Sequence, residues 1–263
     1  MKLLVSILII NYNNKRLLKR SINSCLNQTY KNFEILIFDD SSSDGSIEIL
    51  KKINNKKVKV VFNNSKKTGI PALDAKNGYY NLINCSKGQI IFLLDSDDYF
   101  KKNKVFEVMS FFSKNRNIDL VQDLPVLRYN NKKIKKKNLN NFLSFWPYLA
   151  PESCISFRRK FIKNFFEKNK RLENNYKHVW FGFRIGVFAY YICNSLQTIN
   201  KNLTFYKAIG ESKKYRFLSY NWFLRRLMSF NYLYKILGSN KIFRFHIDYI
   251  LTKIFVNYLK IFK

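Results

Sequence analysis

Asp95, Asp97 and Asp98 close the segment Gly88-Gln89-Ile90-Ile91-Phe92-Leu93-Leu94-Asp95-Ser96-Asp97-Asp98. Carboxylates this close together could hold a cation. The apolar run Ile90 to Leu94 is too short for a helix and suits a strand buried on both faces. Carboxylates at the carboxyl end of such a strand lie where open α/β sheets bind their ligands. Asp95 and Asp97 are two residues apart, so an extended backbone projects both to one side. Two like charges on one face repel unless a cation lies between them. A hard divalent ion, Mg²⁺ or Mn²⁺, fits that position and shares its coordination with phosphate and water. The same residues also describe a plain strand followed by an acidic turn.

The elements that must position these residues alternate in type. Leu3–Ile10 and Phe33–Phe38 read as buried strands, with a helix over Arg16–Leu26 between them. The second strand runs into Asp39-Asp40-Ser41-Ser42-Ser43-Asp44-Gly45-Ser46, a loop that offers N-caps to a short helix through Ile47, Ile49 and Leu50. Val58–Phe62 is a third strand. Pro71–Cys85 is a helix with Pro71 in its first turn and Gly78 weakening its interior. Gly88 is expected to cap that helix and lead into the strand Ile90–Leu94. Strands alternating with helices predict an α/β fold, a mostly parallel central sheet flanked by helices. Tyr12-Asn13, Asp39-Asp40 and Asp95–Asp98 then gather along one sheet edge, a pocket suited to a nucleoside diphosphate. Neither G-x-G-x-x-G nor G-x-x-x-x-G-K occurs, which excludes dinucleotide and P-loop readings.

Three stretches carry a family resemblance: Tyr12-Asn13, Asp39 through Ser46, and Gly88 through Asp98. In this order and spacing they resemble the family 2 glycosyltransferases of GT-A fold. The resemblance assigns Tyr12, Asn13, Asp40, Lys76, Asp95 and Ser96 to nucleotide-sugar binding, with Tyr12 packing on the base and Asp40 bonding it. Asp97, with Asp95, would ligate Mn²⁺ or Mg²⁺ on the donor's diphosphate. Plainer roles stand beside these: Tyr12 covering the sheet edge, Asp40 or Asp44 serving as caps, and Lys66, Lys67 or Lys76 solvated rather than facing phosphate. The family's Ala-Arg-Asn-x-Gly is Ala75-Lys76-Asn77-Gly78 here. Ser153–Arg159 resembles a later strand that lines the acceptor pocket and ends in Phe-Arg-Arg. The resemblance also places a catalytic Asp two residues before Arg184, where this chain has Gly182. Glu152 and Glu173 are the carboxylates nearby, Glu152 the better placed as a base. A shifted alignment or an already ionised acceptor would also account for the glycine. The implied activity is metal-dependent transfer of a sugar, with inversion, from a nucleotide-sugar (UDP favoured) to a glycan, lipid-linked or envelope acceptor. That places it in cell-surface polysaccharide or lipopolysaccharide synthesis. A catalytically weakened nucleotide-sugar-binding homologue is the alternative.

The chain has 263 residues and a formal net charge of +31, which attracts anionic partners. Lys, Asn, Ile, Phe and Tyr are enriched together, so compositional bias supplies part of that charge. Charge alone supports nucleic-acid binding, and no RNA-binding aromatic motif, zinc pattern or helix-turn-helix signal accompanies it. Cys25, Cys85, Cys154 and Cys193 lack C-x-x-C spacing and read as reduced, mostly buried thiols. Leu3–Ile10 is too short for a leader, and no apolar run spans a bilayer. These features predict a cytoplasmic protein, peripheral on the inner membrane's cytoplasmic face. The Lys132–Lys137 run reads as a solvated loop or an anion contact. Residues 1–212 form the expected GT-A domain, its nucleotide-sugar half about 1–100 and its acceptor half about 101–212. Residues 213–263 form a basic amphipathic tail. After Gly238 apolar residues recur at helical spacing opposite Lys241, Arg244, Lys253 and Lys260. Such a helix suits either an anionic membrane interface or packing on the domain.

Overall fold

Aliphatic runs flanked by polar turns set the strands, and the computed structural model describes residues 3–127, 132–133, 144–169, 172, 175–207, 216–238 and 242–261. In chain order the first half contains β1 (Val5–Asn11), α1 (Lys15–Leu26), β2 (Phe33–Asp39), α2 (Ser46–Lys51), β3 (Val58–Phe62), α3 (Pro71–Cys85) and β4 (Ile90–Asp95). There follow β5 (Tyr99–Phe100), α4 (Lys104–Lys114), β6 (Leu120–Leu127), β7 (Lys132–Lys133), β8 (Ile155–Arg158), α5 (Arg159–Asn169), α6 (Phe181–Tyr191), β9 (Leu196–Tyr206), α7 (Tyr220–Leu237) and α8 (Ile247–Lys260).

The strands form one sheet in the order β3-β2-β1-β4-β8-β6-β9-β5, with β7 paired to β6. β3, β2, β1 and β4 are mutually parallel. β8 then reverses direction against both β4 and β6. Alternation along β1 divides the core. Val5, Ile7 and Ile9 meet α1 and α4 on one face, while Leu8 joins Leu36 and Leu93 under α3 and α6 on the other. Each such side chain, fully buried, contributes about 1.5–3 kcal/mol.

Two glycines have roles other than those expected. Gly88 does not cap α3, which ends at Cys85 with Ser86 extended. Gly88 instead lies so close to Ser6 that a Cβ would collide with its backbone nitrogen. Gly78, within α3, lets the helix approach the sheet: a Cβ there would stand 2.8 Å from Phe38 Cδ1. Of the four cysteines only Cys25 and Cys154 are buried; Cys85 is exposed and Cys193 intermediate.

The C-terminal helices differ in how they pack. α7 buries Phe230, Tyr232 and Leu233 in one cluster with Val187 of α6. α8 packs on α7, and Arg226 of α7 makes a two-pronged bond to the buried Asp248 of α8. Residues 134–143 (with most of the lysine run), Glu173, Lys241 and Phe262 lie outside the described residues.

Beneath the sheet edge Lys104 is wholly buried. Its ammonium contacts Asp123 at 2.7 Å and donates to the Ser153 carbonyl and Thr204 Oγ1, both at 2.6 Å. Removing one partner of a buried pair strands the other charge, at a cost of about 3–5 kcal/mol. Lys104→Met should therefore lower stability by about that much, read as a urea midpoint. Adding Asp123→Leu should recover part of the loss. A single variant as stable as the parent would show that the pair is not holding the sheet edge.

Candidate active site

Register brings the polar strand ends together. Asn11 pairs with Asp39 across β1 and β2, and Ile10 pairs with Asp95 across β1 and β4. The residues that follow these strands therefore share one edge.

On the β1–β2 side, Tyr12 is 49 % exposed and presents its ring to the cleft. Lys67 Nζ stands 2.9 Å from that ring's centre and 3.2 Å from Asp40. Asp40 also accepts from Asn63 Nδ2 at 2.7 Å. The ammonium thus fills the slot between aromatic face and carboxylate where a planar base with N–H donors would stack and bond. Asn13 and Ser41 flank this slot with positive φ values of 49° and 57°, a strained backbone that surrounding bonds must hold. Asn13 Oδ1 accepts from the Ser43 amide, and Ser42 Oγ accepts from the Asn13 amide. Buried Asp39 accepts from Asn11 Nδ2 and from the Ser42 amide and hydroxyl. Asp44 bonds the amides that open α1 and α2, at Lys15 and Ser46, and so acts as a double cap. Burial works to raise its pKa, but the bond from the Ser46 hydroxyl, followed by the amide bonds, outweighs it and holds the carboxyl below its ordinary value.

On the β4 side the three carboxylates separate by role. Asp95 accepts from Tyr79 Oη at 3.0 Å, and its amide donates to Ser153 Oγ at 3.0 Å. Asp98 is buried and accepts from Ser153 Oγ at 2.6 Å and the Lys207 amide at 2.8 Å. Asp97 lies 3.4 Å from Lys207 Nζ. Removal from water, then the Asp97 charge, pushes Asp95 up to about 7 against the lowering effect of the Tyr79 hydroxyl. Burial followed by Asp95 and Asp97 raises Asp98 well above the carboxylate range. Burial, then Asp95, raises Tyr79, which keeps its proton for that bond.

Asp95 and Asp97 are hard oxygen donors whose mutual repulsion a cation would relieve, and Lys207 already brings one positive charge to Asp97. This donor set fits a divalent ion. Among the described residues no three His, Cys, Asp or Glu side chains form a group that could hold a metal ion, so an ion at Asp95 and Asp97 would need its other ligands from phosphate and water.

Asp95 also borders a cavity of about 460 Å³ whose wall includes Glu152, His178, Trp180, Tyr206, Trp222 and Arg225. Glu152 is buried in a 3-10 turn before β8 and accepts from the Gly182 amide at 2.5 Å. A Cβ on Gly182 would stand 2.6 Å from Glu152 Cγ. The glutamate therefore occupies the space that a side chain at 182 would need. Arg184 is buried and donates to the Val179 and Tyr176 carbonyls, holding the segment that carries His178 and Trp180. A wider depression of about 980 Å³ lies at the amino ends of the strands, beside Tyr30 and Phe112. It is remote from this chemistry, and its Arg158 is engaged by the Ile118 and Phe112 carbonyls.

Tyr12, Asp40, Asp95 and Asp97 thus follow adjacent strand ends along one sheet edge, and Asp95 and Glu152 share the wall of the cavity beside it. Two expected binding residues turn inward. Ser96 is 1 % exposed and accepts from Asn14 Nδ2, while Lys76 is 2 % exposed with its ammonium 5.0 Å from the Tyr80 ring centre. The Phe-Arg-Arg end of β8 points away from the cavity. Arg159 clamps the Gly88 and Ile83 carbonyls, and only the turn preceding the strand reaches the cleft. Lys207 and Asn63 had no sequence signal, being common residue types outside any motif, and Trp222 read only as part of the aromatic tail.

A mostly parallel sheet that reverses at β8, with acids at the end of β4, defines the GT-A class of nucleotide-sugar folds. The family model for glycosyl transferase family 2 matches residues 6–199, and the chain belongs to that family. An uncharacterised glycosyltransferase of Nostoc is 25 % identical over 223 residues, covering 78 % of this chain and 65 % of that protein. The Escherichia coli protein WfaP, a UDP-Glc:α-D-GlcNAc-diphosphoundecaprenol β-1,3-glucosyltransferase, is 40 % identical over 108 residues, or 41 % of each chain. The chain thus spans less than two thirds of either relative. Among solved structures, Staphylococcus aureus TarS with UDP-GlcNAc superposes with a TM-score of 0.62 at 15 % identity, covering 97 % of this chain and 71 % of that one. A mannosyltransferase of Pyrobaculum calidifontis, in complex with GDP-Man and Mn²⁺, gives 0.58 at 14 %, covering 97 % and 73 %.

The raised carboxyl of Asp95 has a pH consequence. Unfolded, it ionises near the ordinary carboxylate value of about 4; folded, it holds its proton to about 7. Between those values the folded state binds more protons, so this residue's contribution to stability falls as pH rises. Divalent-free protein should lose more stability from pH 4.5 to 7.5 than Asp95→Asn does, by thermal melts in matched buffers. Parallel melting profiles would show that Asp95 is not strained by burial and Asp97.

Proposed function

We propose that the protein is a metal-dependent glycosyltransferase that moves a sugar from a nucleotide-sugar, UDP-linked by preference, to a hydroxyl of a glycan or lipid-linked acceptor. The convergence of Tyr12, Asp40, Asp95 and Asp97 on one sheet edge, beside a cavity walled by Glu152, carries this reading. Tyr12 stacks on the base and Asp40 accepts its N–H, once Lys67 swings toward the phosphates. Asp97 and Asp95 would hold the divalent ion, which when bound supplies charge neutralisation for the departing diphosphate. Lys207, beside Asp97, adds positive charge on the same side.

On the acceptor side, Glu152 takes the proton of the attacking hydroxyl. The acceptor oxygen forms the new bond to the anomeric carbon as the nucleoside diphosphate leaves with the old bond's electron pair. Attack opposite the leaving group inverts the anomeric centre. The Gly182 amide, near the amino end of α6, orients the Glu152 carboxylate. WfaP and WfgD of Escherichia coli are named as glucosyltransferases acting on a diphosphoundecaprenol-linked sugar, which supports a lipid-linked acceptor for cell-surface polysaccharide. Such an acceptor puts the reaction at a membrane surface.

Asp97→Ala should lower turnover by about 10²-fold or more and abolish its response to Mn²⁺ or Mg²⁺. Undiminished divalent-dependent turnover would refute the metal assignment. Glu152→Gln keeps an acceptor for the Gly182 amide but cannot take a proton, so kcat should fall about 10²–10⁴-fold while UDP-sugar affinity in calorimetry stays unchanged. Full activity in that variant would reduce Glu152 to a helix cap. A parent enzyme that binds the nucleotide-sugar yet never turns over would instead favour a binding homologue, the alternative that Gly182 raises.

A further inference from the structure

α8 is inverted relative to an ordinary packed helix. It buries Asp248, Thr252 and Val256. Ile247, Ile250, Leu251, Ile254, Tyr258 and Ile261 are between 43 % and 78 % exposed. At 100° per residue those six fall within an arc of about 100° directly opposite Thr252 and Val256. Phe245, in the turn before the helix, is 84 % exposed and extends the arc. Isolated exposed apolar residues are ordinary, but a contiguous stripe marks an interaction surface.

Charge selects the occupant. Arg244, Lys253 and Lys260 are exposed around this stripe. The only acid between residues 244 and 261, Asp248, points inward and is bonded to Arg226. The outward surface therefore carries apolar side chains and cations and no acid, with the polar Asn257 at its edge. A second copy would bring the same cations against it, and each chain carries +31. An anionic bilayer supplies both an apolar phase and the opposite charge. The stripe also adjoins the cavity of the candidate site: Phe255 stacks on Phe223 at 4.8 Å between ring centres, and Phe223 meets Trp222 of the cavity wall at 4.8 Å.

We propose that the outward face of α8, together with Phe245, lies in the plane of an anionic lipid interface. This identifies the membrane-binding surface itself and does not depend on catalysis. Where the glycosyltransferase reading also holds, the cavity opens beside the lipid headgroups and receives acceptors carried in the bilayer.

Flotation of the full chain with vesicles of phosphatidylcholine, alone or mixed with phosphatidylglycerol, tests the proposal at low and high salt. The parent should float with the mixed vesicles and stay partly bound at high salt, because insertion is apolar whereas simple adsorption is screened. Ile250→Asp/Ile254→Asp should weaken partitioning about tenfold or more, with unchanged circular dichroism and nucleotide affinity. Lys253→Glu/Lys260→Glu should weaken binding to the mixed vesicles and leave the high-salt remainder largely intact. If Ile250→Asp/Ile254→Asp floats like the parent, net charge alone drives binding and the proposal fails. It fails too if the parent does not float and elutes as a dimer that the same variant dissociates, since a second copy then covers the face. Nucleotide-sugar transfer is read separately, so neither result is confused with a failure of the catalytic reading.

Discussion

One buried hydroxyl decides what the acidic turn can do. Ser153 Oγ gives its proton to Asp98 and accepts the Asp95 amide, so the hydroxyl's direction is fixed at both ends. The Ser153 carbonyl is in turn held by the ammonium of Lys104, which faces Asp123 in the interior. Three acids crowded at a strand end would otherwise repel one another into solvent. The hydroxyl locks Asp98 inward and leaves Asp95 and Asp97 as the two remaining acids of the turn. A buried ion pair gives little net stability beyond what apolar packing would supply. Its value here lies in the position it imposes on β4 and the turn before β8.

Missing side chains shape the other half of the site. The space left by Gly182 is taken by Glu152, whose carboxylate reaches the cavity from a different segment and is held by the Gly182 amide. Position 182 and position 152 cannot both carry large side chains in this backbone. The cavity wall of this chain therefore has the Glu152 carboxylate, from the turn before β8, in the space beside α6.

The sheet edge at β1, β2 and β4 was legible in the sequence because it is built from local signals. Strands β1, β2 and β4 are continuous apolar runs, and parallel register alone brings Asn11, Asp39 and Asp95 level. Motifs at strand ends then indicate the cleft, although side-chain direction was less legible: Ser96 and Lys76 belong to the expected motifs yet point inward. The contacts that the second half of the chain brings to this edge and to α8 resisted because they are distant in sequence. The Lys207 amide bonds Asp98 from 109 residues away, and the Phe145 amide bonds Asp248 from 103 away. Periodicity did find the apolar stripe of α8. It could not say whether the stripe faces the domain or away from it, because an inverted helix and a packed one have the same spacing.

The bond between Arg226 and Asp248 joins α8 to the cavity. Arg226 lies in the wall of the 460 Å³ cavity, and Asp248 lies on the packed face of α8. Asp248 also accepts the Phe145 amide at 2.9 Å, near Trp146 of the same wall. A carboxylate bound by an arginine fork and a backbone amide cannot be displaced without stranding charge in a half-buried place. α8 is therefore tied to the cavity wall by a charged bond as well as by packing on α7.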